Sequence, residues 1–472
     1  MLELIRTLSL DEIERIRHAT EDILENVGCR VAHPDVLRRV RNAGAPVDEA
    51  SGIVRFPTPL LRELLAQVPS SYMICGLDGK EYEIGGSHQY CHAIVTDPWI
   101  IDYATQQPRR PRLEDVGRHT RIAQQLDPVV CMGLMDFPVA DFEGPASSLH
   151  AREAHLLSHA KHLCAYTTSI EDFRLWADIK DLLEEHNAGG NGHLMSAAVA
   201  VKSPLELAEV NAEHLLLACQ YNMPVIPTVC PSAGTTSPYS LAGTLLQANT
   251  EAVALAALTQ IIKPGHPFQY ALGPAAADLM TGYDRYYSID KVLWKIASVQ
   301  MGKSYNLPTT AECGGSLNYR YDQQNGAEGI LFMLAACASN ANLLAGFGSC
   351  YNAIGMSAEM MVIHSAWLAV ARFLKCGITI DEEHLGLKSI KNSGPGRSFL
   401  DDELTLKLMR EGEFFGNDLF DMACEFGEGQ PILVRAHNRV EEMLAKYKCP
   451  VPENIQEDIR RYFANLYRKL ER

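Results

Sequence analysis

The sequence predicts an α/β protein, a (β/α)8 TIM barrel with an N-terminal helical cap and a C-terminal helical extension. Three observations carry this reading. Short apolar runs rich in Val, Ile, Leu and Ala recur, starting at Val129, His162, Leu194, Pro224, Pro267, Pro308 and Asn342. Helix-like segments lie between them, such as "SPLELAEVNAEHLLLACQYN" and "GILFMLAACASNAN". Each run ends in small or polar residues, as in "CPSAGTTSP", "LGPAAAD" and "CGGSLNYRYD". Continuous apolar strands alternating with helices make a parallel sheet covered on both faces. Seven such units, with an eighth strand in "HQYCHAIV", fit a closed barrel. A doubly wound open sheet shares the alternation and is the alternative.

Taken in order, residues 1–80 read as a helical segment. "SLDEIERIRHATEDILENVG" has apolar residues at helical spacing, a Ser before its acidic first turn and a Gly at its end. "HPDVLRRVRNAGA" and "TPLLRELLAQVP" repeat the pattern. Residues 81–375 carry the strand–helix units at intervals of 30–43 residues. Residues 376–472 lose that rhythm and end in the amphipathic helix "NIQEDIRRYFANLYRKLER", an extension expected to pack on the barrel or on a partner subunit.

Composition narrows the function. The net charge of −16 and the lack of a basic patch exclude nucleic acid as the expected partner. No apolar run reaches the 18 residues of a membrane span, and the N-terminus shows no secretory apolar region, so a cytoplasmic location without membrane contact is expected. The 13 cysteines are scattered without a CxxC pair, which argues against a disulfide framework. GxGxxG after a strand, GxxxxGK[ST] and GxSxG are all missing.

In a barrel of this kind the loops after the strands build the active face. The loop "SAGTTS" offers Ser232 and Thr235, and a plain helix start explains the same residues. Tyrosines crowd the predicted strand ends, among them Tyr166, Tyr239, Tyr283, Tyr319, Tyr321 and Tyr351. Ring faces around a cation hold quaternary ammonium groups; rim packing is the plainer use of a tyrosine. Charged groups near the mouth are Asp136, Lys202, Glu312, Arg320 and Asp322. Lys202 or Arg320 could meet a substrate carboxylate, or could be solvated loop charges. His155, His159 and His162 share a helical face at a spacing that can bind zinc, but they lead into a strand and so belong at the barrel bottom; no metal is expected.

The motifs resemble the trimethylamine methyltransferase superfamily over nearly the whole chain. "EDILENVGCRVAHPDVLRRVRNAGAPVDEASGIVRFP", "PSAGTTSPYSLAGTLLQANTEAVA", "GHPFQYALGPAAADLMTG" and "GPGRSFLDDELTLKLMRE" match its motifs in order. Leu404 stands where the last motif usually has His, and Arg397 where it has a second Gly. The family's fold is a (β/α)8 barrel. Its trimethylamine branch carries pyrrolysine in the region corresponding to "GGSLNYRYDQQNG"; here Tyr319 falls near that position. The chain is therefore similar to the non-pyrrolysine branch, whose members demethylate glycine betaine, proline betaine or carnitine.

The resemblance implies methyl transfer from a betaine-type quaternary amine to Co(I) of a corrinoid. The chain has no DxHxxG motif, so it is expected to bind no corrinoid itself; a separate corrinoid protein would bring the cobalt to the barrel mouth. Tyr319, Tyr351 and Tyr239 are the expected cage, Arg320 and Lys202 the carboxylate partners, and Glu312 the balance to the cation, with Ser232 and Thr235 lining the pocket. A homo-oligomer is expected. Two other readings remain: a barrel lyase or hydrolase using Glu312 and Asp136 as acid and base, and a betaine-binding protein without catalysis.

Overall fold

A computed structural model of the protein describes residues 6–93, 98–186, 190–422, 427 and 429–470. Eight parallel strands form the barrel: β1 (Tyr90–Ala93), β2 (Val129–Gly133), β3 (His162–Ala165), β4 (Met195–Val201), β5 (Val225–Val229), β6 (Tyr270–Ala271), β7 (Thr309–Glu312) and β8 (Leu343–Ala345). Sequential strands pair, and β8 returns to β1 through Leu343↔Tyr90, Leu344↔Cys91 and Ala345↔His92. The seam between β5 and β6 closes through the bridge Val225↔Phe268 and the Gln269 N–H donating to Val225 O over 2.9 Å. The ring is thus a barrel and not an open sheet.

Each strand is followed by a helix: α1 (Leu113–Gln125), α2 (Pro145–Leu156), α3 (Ile170–Glu184), α4 (Glu209–Gln220), α5 (Leu241–Ile262), α6 (Lys291–Ser304), α7 (Gln323–Ala338) and α8 (Ala358–Cys376). Hydroxyls and a carboxylate start several of them. Ser169, Ser240 and Ser357 accept the N–H of Asp172, Gly243 and Met360, and Asp322 accepts those of Gln324 and Asn325. The helix read from Ser203 starts later, at Glu209, because Glu206–Leu207 instead pair with Arg30 and Val31 of the N-terminal segment. Helix α5, 22 residues long with a mean hydropathy of 1.2, is long and apolar enough to cross a membrane; 78% of that stretch is buried inside the protein. It is the helix against which the N-terminal helices pack.

Those helices (Leu10–Asn26, Pro34–Asn42 and Thr58–Ala66) are tied together by short strands, so the N-terminal segment is not purely helical. A buried polar chain joins it to the barrel: Tyr270 OH donates to Asn249 Oδ1 over 2.6 Å, and Asn249 Nδ2 donates to Thr20 Oγ1 over 2.8 Å.

A hairpin, Ser71–Cys75 with Glu81–Gly85, lies across the N-terminal ends of the barrel strands. It donates Cys75 N–H to His193 O, just before β4, and Leu77 N–H to Ala160 O, just before β3. Its Tyr72, Ile74 and Ile84 pack on Val130, Cys131, Cys164, Ile226 and Leu343 from the barrel. The bottom of the barrel is therefore filled with apolar side chains.

Beyond α8, helix Ile432–Lys446 packs against α8 and α1, and helix Glu453–Leu470 buries Ile455, Ile459 and Phe463 against α2 and α3. Between α8 and helix Ile432–Lys446, helices Leu387–Ser393 and Glu403–Glu411 bury no residue.

Candidate functional site

Above that apolar plug the barrel walls turn small. Ala271, Gly273, Ala311, Ala345 and Gly346 line a cavity of about 360 Å³ at the C-terminal ends of the strands. Small residues at strand ends, legible in the sequence, are what leave this room.

Glu312, the last residue of β7, is the cavity's most heavily engaged charge. Lys295 Nζ donates to its Oε2 over 2.6 Å, Lys291 Nζ stands 3.6 Å from Oε1, and Tyr286 OH donates to Oε1. The two lysines lie four residues apart on α6, hence on one face, and their side chains are 1% and 2% exposed. Burial alone would raise the Glu312 carboxyl; the two ammonium groups and the hydrogen bonds overcome it and hold the group at about 2. Burial lowers Lys291 to about 8 although Glu312 opposes it, and lowers Lys295 in the same way. Lys291 Nζ also sits 2.9 Å from the centroid of the Tyr286 ring. Both lysines stand behind the wall; neither lines the cavity.

The rest of the lining is aromatic or polar. Tyr286 and Tyr287 meet edge to face with centroids 5.3 Å apart, and Tyr166 follows β3. Tyr287 is held by a close backbone approach: at Gly315, with φ +117, a Cβ would fall 2.4 Å from its ring. Asp284, on the exposed rim strand Asp284–Arg285, adds a second carboxylate. His92 and Thr310 bring side chains whose Nε2 and Oγ1 are buried and have no hydrogen-bond partner among the described residues. Burial drives His92 down to about 3, so its imidazole is neutral.

Of the residues singled out in sequence, Glu312 and Tyr166 line this cavity, and the expected cage tyrosines, carboxylate partners and loop hydroxyls do not. Tyr319 and Tyr351 form an edge-to-face pair, centroids 5.4 Å apart, on the adjoining rim. Tyr239 is 68% exposed. Arg320 is tied to Asp322 at 3.0 Å and Lys202 to Glu206 at 3.3 Å, both with mostly exposed side chains. Lys202 is thus drawn to the junction with the N-terminal segment. Thr235 Oγ1 donates to Ser232 O and the Ser232 N–H donates to Thr236 Oγ1, so the threonine hydroxyls brace their own loop, while Ser232 Oγ is buried without a hydrogen-bond partner among the described residues. Ser232–Ala233 joins Ala275–Ala277 and Asp284–Arg285 in a small rim sheet. Sequence reasoning missed Tyr286, Tyr287, Lys291, Lys295 and His92. The signal was two lysines four apart in the apolar helix "KVLWKIASVQM", which need a buried counter-charge.

Asp136 is fully buried and lies 2.6 Å from His119 Nδ1, away from the Glu312 cavity. His155 and His159 face each other at 3.0 Å, and His162 bonds His193 O and Ser196 Oγ. Among the described residues no group of three or more His, Cys, Asp or Glu is placed to hold a metal ion. A larger cavity, about 670 Å³, lies between α1, α8 and helix Ile432–Lys446. Its walls carry ion pairs, Arg109 with Asp115 at 2.7 Å and His437 with Glu359 at 2.8 Å.

Residues 2–470 match the family described as Trimethylamine methyltransferase (MTTB). The trimethylamine methyltransferase MttB of Methanosarcina barkeri (strain Fusaro / DSM 804) is 25% identical, over 96% of this chain and 94% of that protein. A glycine betaine methyltransferase of Desulfitobacterium hafniense (strain Y51) is 25% identical, over 94% and 93%. Among solved structures, the Methanosarcina barkeri monomethylamine methyltransferase (MtmB) is similar in fold, with a TM-score of 0.53 and 12% identity over 93% of this chain and 89% of that one. With nearly every residue matched and a closed barrel whose cavity lies at the strand ends, this chain belongs to the trimethylamine methyltransferase (MTTB) family.

Proposed function

We propose that this chain transfers a methyl group from a quaternary amine to Co(I) of a corrinoid carried by a separate protein. One observation carries the reading: a family member's strand-end cavity walled by Tyr166, Tyr286 and Tyr287 and by two carboxylates, Glu312 and Asp284. Ring faces attract an alkylated ammonium without requiring hydrogen bonds it cannot donate. Lys291 and Lys295 offset much of the charge of Glu312, so the rings and Asp284 supply a large share of that attraction.

The chemistry suits such a site. A quaternary nitrogen keeps the C–N electron pair and leaves as a neutral tertiary amine, while the two-electron nucleophile Co(I) forms the new bond to carbon. No protein acid is needed for the leaving group. The chain's task is to hold the cation, exclude water and aim one methyl at the mouth. The rim there exposes Tyr239, Leu279, Met280 and Tyr283, an apolar surface suited to a docked corrinoid protein.

The test is methyl transfer from a panel of quaternary amines to Co(I) corrinoid, free or protein-bound. Methylated corrinoid is the expected product. Absence of transfer from every amine, with the protein folded, would remove the proposal. Glu312 with Asp136 as an acid–base pair has no support in the geometry, because Asp136 is engaged by His119 outside the cavity.

A further inference from the structure

The cavity walls also bear on which quaternary amine is taken. No Lys or Arg lines the cavity among the described residues. Residues 94–97, which follow β1, contain neither. Lys202 and Arg320, which would meet a substrate carboxylate, are paired elsewhere with Glu206 and Asp322. Two carboxylates do line it. A ligand carboxylate drawn inside would face Glu312 and Asp284, while the nearby ammonium groups of Lys291 and Lys295 stand behind the wall and are already paired with Glu312, an arrangement that penalises binding.

The same walls offer two unmet neutral groups. His92 is 2% and Thr310 8% exposed, and their Nε2 and Oγ1 have no partner among the described residues. Buried polar atoms are nearly always paired, so two orphans in one cavity wall point to a ligand group. Their placement is coherent. Ala345 pairs with both Glu312 and His92, which puts the carboxylate and the imidazole on one rung, flanking β8. Thr310 lies two residues before Glu312 on β7 and so faces the same side.

We infer that the cavity selects a quaternary ammonium whose second polar group is uncharged, a hydroxyl foremost, and not a carboxylate. This rests on the methyl-transfer reading above. The nitrogen sits against the tyrosine faces near Glu312, and the hydroxyl accepts from or donates to Thr310 Oγ1 and the ring nitrogen of His92.

Calorimetry on the full chain with choline, tetramethylammonium and glycine betaine tests it. Choline is expected to bind most tightly, by roughly five- to tenfold over tetramethylammonium, the size of one or two neutral hydrogen bonds. Thr310→Val keeps the shape of the side chain and should erase most of that margin while leaving tetramethylammonium unaffected. The ligand ranking of the unaltered protein is decisive by itself if the variant does not fold. Glycine betaine binding more tightly than choline overturns the inference, as does an equal loss for all three ligands in Thr310→Val; either leaves methyl transfer standing. Failure of all three to bind overturns both.

Discussion

Lys295 Nζ lies 2.6 Å from Glu312 Oε2 with the lysine side chain 2% exposed, and Lys291 stands one helical turn earlier on the same carboxylate. Two ammonium groups thus share one counter-charge at the wall of the cavity. Such a cluster holds together only as a unit, because a buried charge without its partner is costly.

Glu312→Gln should therefore cost about 3–5 kcal/mol of stability, as expected when one partner of a buried ion pair is removed. Urea unfolding measures this. Adding Lys295→Met should recover part of the loss, since the second change removes a stranded charge. A single variant as stable as the parent would show that the lysines do not depend on Glu312.

The Lys291 ammonium titrates at about 8 in the fold and near 10.4 in an unfolded chain. Between those values the unfolded chain binds the extra proton, so this group's contribution to stability rises with pH. In the cavity the same deprotonation removes a positive charge behind Glu312. Lys295, Glu312, Asp284, Cys230 and Tyr286 surround it. Tetramethylammonium affinity should increase from pH 7 to 9, and the slope should vanish in Lys291→Met. A flat profile in the parent protein would contradict this.

Gly315→Ala meets two obstacles, a φ of +117 and a Cβ position 2.4 Å from the Tyr287 ring. Overpacking of this kind costs about 1–3 kcal/mol. Tyr287 is a cavity wall, so the variant should also weaken tetramethylammonium binding several-fold. Destabilisation with unchanged affinity would mean that Tyr287 takes no part in holding the ligand.

Asp136→Asn tests the acid–base alternative. Asp136 has φ 61, a conformation that Asn tolerates, so the backbone should persist. Altering its hydrogen bond to His119 should cost about 1–3 kcal/mol in thermal unfolding. Methyl transfer should be unchanged, because Asp136 is outside the cavity lining. A large loss of activity at full stability would revive a catalytic role.

The barrel was legible because each strand is buried on both faces and so reads as an unbroken apolar run; Val129–Gly133 and Met195–Val201 fall within the runs seen in sequence. The site was legible only where strand position decides direction. Glu312 ends a strand, and its place in the chain was enough. Tyr239 and Tyr319 are on loops, whose side-chain direction depends on how the loop folds back, and there proximity to a strand end misled. Tyr286 and Tyr287 come from "TGYDRYYSIDK", a polar stretch whose approach to β7 depends on Gly315 yielding space. Lys202 shows a different limit: its partner Glu206 is part of a strand completed by residues 30–31, a pairing that local patterning does not announce.

The hairpin Ser71–Gly85 across the lower end of the barrel constrains the order of events in the proposed reaction. A tube stoppered at one end has a single doorway. The small amine must enter before the cobalt carrier settles over that doorway, and the demethylated amine can depart only after the carrier lifts away. Steady-state kinetics should then be sequential and ordered, with the amine first on and last off.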